Sequence, residues 1–445
     1  MTDKTTVNVR EIVLDMLLET CEKEVYSHLI LSAILEKYQY IDVQKKKFLT
    51  RLFEGTVEYR LLEDAVLNRY SKIKVNKMKP VVRNILRMGV YQLLYMDSVP
   101  DSAVCNEAVK LAKKRGFQGL SGFVNGVLRN IARDKDNIYF KSLSEKYSIP
   151  QWIIDEWSKQ FDEDTIITIL EGINKKQGVS IRCNTSAINC EEFYSELENQ
   201  RITVRRSKYI KEAAFISGFD SIENIFGFNK GYFQIQDIDA MVAVNISGVK
   251  PDYKILDVCA APGGKSIQFA DMLNGSGIVE ARDLSENKVE IIEENISRNN
   301  MKNIKAVCMN AEIFDAASKD KYDIVLADLP CSGLGVIGKK ADIRYRVKQE
   351  DIAGLATLQR DILSVVWQYV KPGGVLIYIT CTINETENQD NVKWFTENFP
   401  FETESFSDSV SNINDAQTAT KGWLQLLPGI HEGDGAFVAK LRRKA

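Results

Sequence analysis

Two cysteines stand where a thiol could act as a nucleophile. One lies in Asp328-Leu329-Pro330-Cys331-Ser332-Gly333, and the other, Cys381, ends the apolar run Gly374-Val375-Leu376-Ile377-Tyr378-Ile379-Thr380. Each follows a stretch whose apolar and β-branched residues predict a strand. Both thiols are therefore expected at the carboxyl ends of strands, where an open α/β sheet binds its ligands. A thiolate can add to carbon 6 of a pyrimidine and turn carbon 5 into an enamine-like carbon able to attack an electrophilic methyl group. The carbon 5 proton must then leave and the thiol be expelled, which calls for a base. A carboxylate such as Asp328 can hydrogen-bond the N3/N4 edge of a cytosine and stabilise the adduct. A single cysteine after a strand is more often inert and buried. Two of them at neighbouring strand ends, one inside Asp-x-Pro-Cys, reverse that judgement.

A second constellation lies upstream. Lys254-Ile255-Leu256-Asp257-Val258-Cys259 predicts a strand that runs into Ala260-Ala261-Pro262-Gly263-Gly264, with Lys265 opening a helix. Glycines at such a turn let backbone approach a ligand beside the positive end of a helix. The next strand, Gly277 to Ala281, leads to Asp283, about 20 residues past the glycines and placed to accept hydrogen bonds from ribose hydroxyls. Two further strands end at Asn310 and Asp328. The turn matches neither the dinucleotide nor the P-loop fingerprint, so a nucleotide-like ligand is expected without pyrophosphate binding. Gly-Gly alone is common in βα turns; four polar strand ends together are the stronger signal.

These elements need a scaffold larger than one domain. With 445 residues, 44% of them hydrophobic and 27% charged, the chain is expected to be soluble and to form two or three cores. The first 135 residues read as helices, with apolar spacing over Val9–Leu18, Val81–Met96 and Phe123–Ile131, and Asp101 or Ser102 as an N-cap. Asn137–Pro150 is a plausible boundary. Helical pattern resumes from Trp152 to about Ile173, a strand-and-helix segment begins at Val179, and alternating strands and helices from Lys254 predict a parallel α/β sheet. No apolar run reaches a membrane span, and Met1-Thr2-Asp3-Lys4 does not open a signal peptide, so a cytoplasmic protein is expected. Eight cysteines without a CxxC pair, and only His28 and His431, predict no metal site and no histidine triad. The net charge is -3, yet Arg69 to Lys135 holds 14 Lys and Arg against 4 Asp and Glu. That excess fits either phosphate contacts or a solvated helix face.

The motifs resemble the NOL1/NOP2/Sun (Fmu) family of RNA cytosine-5 methyltransferases. The resemblance rests on Asp257-Val258-Cys259-Ala260-Ala261-Pro262-Gly263-Gly264-Lys265, Asp328 to Gly333, Thr380-Cys381-Thr382, and a closing hairpin over Trp423–Pro428 and Asp434–Lys440. It implies Cys381 as nucleophile and Cys331 as the residue that assists release of the methylated base. It implies S-adenosylmethionine held by Cys259, Ala260, Ala261, Pro262, Gly263, Gly264, Lys265, Asp283, Asn310 and Asp328, with Lys265 also near the base. Asn310 stands where the family usually has Asp, and Gly338-Lys339-Lys340-Ala341-Asp342 replaces a more Arg- and Pro-rich loop, while Asp342-Ile343-Arg344-Tyr345 is retained.

The implied architecture is multidomain. An all-α NusB-like domain (1–140) is similar to NusB-type RNA-binding domains through Arg83–Leu94 and Phe123–Arg129. A helical linker (141–176) leads to a small RRM-like α+β segment (177–248), in which Gly231–Asp237 resembles the entry to the catalytic core. The α/β class I (Rossmann-like) methyltransferase domain, with a seven-stranded sheet, fills 249–445. The helical fusion implies 16S rRNA, naked or in a partly assembled small subunit, as the partner of a monomer. A tRNA substrate with the same chemistry is the first alternative, and a non-catalytic RNA-binding or antitermination factor the second. A DNA cytosine methyltransferase would use the cysteine of the Pro-Cys motif as nucleophile and lack the helical module.

Overall fold

The computed structural model describes residues 7–175 and 177–445, so the Met1–Lys4 start lies outside the described residues. The chain divides into two compact units. One runs to Lys159 and includes Lys339–Val347; the other holds Gln160–Gly338 and Lys348–Ala445.

The first unit is built from helices. Seven of them, Val9–Glu22, Ser27–Lys37, Val43–Glu58, Arg60–Tyr70, Pro80–Tyr95, Asp101–Lys114 and Ser121–Asp134, surround a core that includes Val13, Leu17, Leu49, Phe53, Leu86, Val90 and Leu128. Gly89 allows the helices to approach: a Cβ there would lie 2.5 Å from Leu128 Cδ2. The helix start near residue 101 differs from the expected one. Pro100 occupies the N-cap position, and Asp101 is the first helical residue, its carboxylate engaged by Lys135 at 3.0 Å. The arginines of the Arg83–Leu94 segment are structural. Arg83 pairs with Glu22, and Arg87 reaches Asp64 at 2.7 Å. Asp342 of the inserted strap accepts hydrogen bonds from the Ser27 N–H (3.0 Å) and hydroxyl (2.8 Å), while Tyr345 donates to the Glu58 carbonyl.

The single helical stretch expected after Trp152 is two helices, Gln151–Trp157 and Glu163–Asn174. Asp162 restarts the chain by accepting from the Thr165 N–H at 2.9 Å, as an N-cap does.

The second unit carries two sheets. The smaller contains β1 (Val179–Cys183), β2 (Thr203–Arg206), β3 (Ala213–Ser217) and β4 (Phe233–Ile235), antiparallel in the order β2-β3-β1-β4, with a helix at Cys190–Asn199. After β4, Asp237 caps the helix Ile238–Asn245 and leads into the larger sheet. That sheet comprises β5 (Lys254–Asp257), β6 (Ile278–Asp283), β7 (Ile304–Cys308), β8 (Tyr322–Asp328), β9 (Val370–Thr380), β10 (Phe401–Thr403), β11 (Trp423–Gln425) and β12 (Phe437–Arg443). Seven strands follow the order β10-β12-β9-β8-β5-β6-β7, and β11 pairs with β12 as an eighth. The five strands from β9 to β7 are parallel, and β12 runs antiparallel to β9. The expected closing hairpin is present, with Trp423 opposite Ala439.

A buried ion pair fastens the small sheet to the helix Gly264–Met272 that follows β5. Arg182 on β1 meets Asp271 at 2.5 Å, and only 3% and 2% of their side chains are exposed. Asp271 also accepts from Thr185 and Ser186. Removing one member of such a pair leaves an uncompensated buried charge. Arg182→Ala should therefore cost about 3–5 kcal/mol in denaturant unfolding of the full chain. A loss near zero would show that Asp271 needs no cation there.

Candidate active site

The site forms where β5, β6, β7, β8 and β9 end. β5 passes into a turn whose Gly263 has φ +100 and is followed by the helix Gly264–Met272. A side chain at that φ would be strained, so glycine is the residue the turn requires. The loop is tied to its neighbours: Ala260 N–H donates to the Arg282 carbonyl at 2.8 Å, and Ala261 N–H to Asp283 Oδ2 at 2.9 Å. Asp283 is buried at the end of β6 and meets Lys288 at 2.9 Å. Asn310 lies just beyond β7, half-buried, its Oδ1 accepting from the Glu312 N–H.

The reactive side chains converge at the ends of β8 and β9. Asp328 pairs in register with Ile379, and Leu329 N–H donates to the Ile379 carbonyl at 3.1 Å. Cys331 and Cys381, 50 residues apart in sequence, stand with their sulfurs 3.2 Å from one another. Lys265, from the helix after β5, reaches Asp328 at 2.5 Å. Every candidate site residue read from the sequence thus lies in the turn or the helix start after β5, or at or just past the end of β6, β7, β8 or β9.

Electrostatics separate their roles. Burial by itself pulls the Lys265 ammonium down, but the charges of Asp328 and Asp257 outweigh it and hold the group protonated. The Cys259 thiol is pushed up by burial and by Asp257, Asp283 and Asp328, which keeps it neutral and suits a structural place in the turn. The Cys331 thiol is also raised, first by its hydrogen bond with Cys381, then by burial and the charges of Cys381 and Glu387. Burial lifts the Asp257 carboxyl to about 6 despite Lys265 and the Ser266 hydroxyl. Its other oxygen is buried without a hydrogen-bond partner.

Sequence reasoning missed the layer beneath the cysteines. Glu387, Asn384 and Gln359 are fully buried and bonded to the two loops. The available signal was the polar run Asn384-Glu385-Thr386-Glu387-Asn388 directly after a strand-end cysteine, where a helix start would ordinarily face solvent. Among the described residues no cluster of His, Cys, Asp and Glu could hold a metal ion, and no helix is long and apolar enough to cross a membrane.

A helical domain, a small antiparallel sheet and a Rossmann-like sheet with polar groups at its parallel strand ends define a class I methyltransferase with an added helical module. Residues 245–442 match the family model for 16S rRNA methyltransferase RsmB/F, residues 7–133 the NusB family, and residues 149–223 the ferredoxin-like domain of RsmF/B-like methyltransferases. The probable ribosomal RNA small subunit methyltransferase B of Bacillus subtilis is 33% identical, over 98% of this chain and 99% of that protein. The solved structure of PH0851 is 25% identical and superimposes with a TM-score of 0.81, covering 99% of this chain and 100% of that one. A methyltransferase homologue from Pyrococcus horikoshii is likewise 25% identical, with a TM-score of 0.57 over 67% of this chain and 97% of that one. The chain belongs to the 16S rRNA methyltransferase RsmB/F family.

Its cofactor is S-adenosylmethionine. The residues present suit that molecule: the glycine turn admits close approach, Asp283 offers a carboxylate, and Asn310 offers an uncharged amide.

Proposed function

We propose that the protein methylates carbon 5 of a cytosine in 16S rRNA through a covalent bond between Cys381 and carbon 6 of the base. The observation that carries this reading is the 3.2 Å approach of the Cys331 and Cys381 sulfurs beside the Lys265–Asp328 pair. Cys259 to Lys265, Asp283, Asn310 and Asp328 would hold S-adenosylmethionine, which supplies an electrophilic methyl group. Cys381 adds to carbon 6, and carbon 5 becomes the nucleophile. Asp328 accepts from the N4 edge of the base and stabilises the adduct, while the Lys265 ammonium orients Asp328. After transfer a general base takes the carbon 5 proton, the electrons of that C–H bond restore the carbon 5–carbon 6 double bond and expel the Cys381 thiolate, and Cys331 assists that release. In this reading residues 1–140 engage RNA, 141–176 are a helical linker, 177–248 form the RRM-like segment, and 249–445 carry the chemistry.

RNA contact by the helical domain is assigned to a different part of the basic stretch than charge counting alone would favour. Lys114 and Arg115 are paired with Glu11 and Asp15. Lys72, Lys74, Lys77 and Lys79 instead are exposed and pair with no carboxylate among the described residues, on a loop anchored by buried Val75 and Met78. Four uncompensated lysines within eight residues fit a phosphate backbone.

Two experiments follow from these assignments. Cys381→Ala should abolish methyl transfer while retaining RNA binding. Cys331→Ala should accumulate a covalent protein–RNA species visible on denaturing gels; exchanged phenotypes would reverse the roles. Replacing all four lysines with Gln should lower the slope of log affinity for 16S rRNA against log salt by about 3 to 4. An unchanged slope would make the loop a solvated face.

A further inference from the structure

Glu387 has no role in the reaction described so far, yet its surroundings are unusual for a carboxylate. It is fully buried, and among the described residues no lysine, arginine or histidine pairs with it. Four donors converge on it instead. Oε1 accepts from the Ser332 N–H and from Gln359 Nε2, each at 2.9 Å; Oε2 accepts from the Ser332 hydroxyl and from Asn384 Nδ2. Three of these, the Ser332 N–H and the Gln359 and Asn384 amide N–H groups, can only donate, so the carboxyl group serves chiefly as an acceptor.

The donors come from both reactive loops. Ser332 follows Cys331, and Asn384 lies three residues beyond Cys381. Gln359 also donates to the Pro330 carbonyl at 2.9 Å, the Ser332 and Thr382 hydroxyls meet at 2.6 Å, and Gly335 N–H donates to the Cys381 carbonyl at 3.0 Å. Glu387 is thus the common acceptor of a network that joins the Pro-Cys loop to the Thr-Cys loop.

We propose that Glu387 is the positioning residue that divides the labour of the two cysteines. Its carboxylate clamps the Pro330–Gly333 loop against Cys381–Asn384 and accepts from the Ser332 N–H, one residue from Cys331, whereas the Lys265 cation is held by Asp328. This rests on the reading of Cys381 as nucleophile and Cys331 as the releasing residue. The charged and titratable groups around the pair support it: Glu387, Cys381 and Tyr378 bear on Cys331, and Lys265, itself bonded to Asp328, bears on Cys381. Among these, Cys381 and Glu387 both raise the Cys331 thiol, so removing the Glu387 charge should lower it.

The test uses the full-length protein without RNA. Iodoacetamide alkylation of Cys331 and Cys381 is followed separately by peptide mass spectrometry from pH 7 to 10. In Glu387→Gln the Cys331 profile should move to lower pH, with alkylation up to about tenfold faster below its midpoint, the effect of one pKa unit. Glu387→Asp, which keeps the charge, should stay near wild type. Equal acceleration of both cysteines without a shift along the pH axis would mean simple loosening and would overturn the proposal. With 16S rRNA and S-adenosylmethionine, Glu387→Gln should lower kcat with little change in KM and accumulate the covalent species; normal release would also count against it. If Glu387→Gln does not fold, Ser332→Ala removes one donor from Oε2 and should accumulate the same species to a smaller extent, and wild-type turnover would contradict the role. The two readings fail separately. Normal release by Cys331→Ala would remove the assigned cysteine roles, whereas an unmoved alkylation profile in Glu387→Gln would remove the assignment of Glu387 alone.

Discussion

The parallel pairing of β8 with β9 is the constraint on which the site depends. Pairing of Asp328 with Ile379 fixes where both strands stop, and only two residues on one side and one on the other intervene before a cysteine. Two thiols far apart in sequence must then meet, and they do so at 3.2 Å. A one-residue slip would turn the side chains of one strand to the opposite face of the sheet. The buried Tyr378 hydroxyl, bonded to Gln359 at 3.1 Å and to the Glu387 carbonyl at 2.5 Å, opposes that slip, which would turn it away from both.

Around this frame the site collects charge that solvent would otherwise dissipate. Asp257 and Lys265 are buried beside Asp328: the two carboxylates hold the Lys265 ammonium protonated, and Lys265 partly offsets the burial that raises Asp257. The raised Asp257 carboxyl is the clearest sign of that cost, because burial lifts it even with an ammonium nearby. The Lys265 cation pairs with Asp328 and restricts its orientation, as the proposed contact with the base would require. The small sheet is fixed to the same unit by Arg182 and Asp271, so the turn after β5 and the helix it opens are anchored from behind.

Much of this was legible because it depends on local pattern. Apolar runs located the five parallel strands, and the polar residues read at their ends do lie at those ends, where the candidate site is placed. What escaped depends on distant parts of the chain. Arg115 is neutralised by Asp15, 100 positions away, and a count of charges along the sequence has no access to that pairing. Arg83 and Arg87 carry a family motif yet serve the bundle's own ion pairs. Glu387 acquires meaning only when Gln359 and Ser332, 28 and 55 positions away, point at it. The start of the helix at Asp101 was missed by one or two residues because Pro100, with its fixed φ, took the capping position.

The central claim concerns the atom that receives the methyl group. It is tested most directly by transferring labelled methyl from S-adenosylmethionine to unmodified 16S rRNA, digesting the RNA to nucleosides and identifying the labelled product. The account expects the label in 5-methylcytidine, arising from a single cytosine. Label on a ring nitrogen, an exocyclic amine or a ribose hydroxyl would contradict it, because none of those positions requires addition of a thiol to the base.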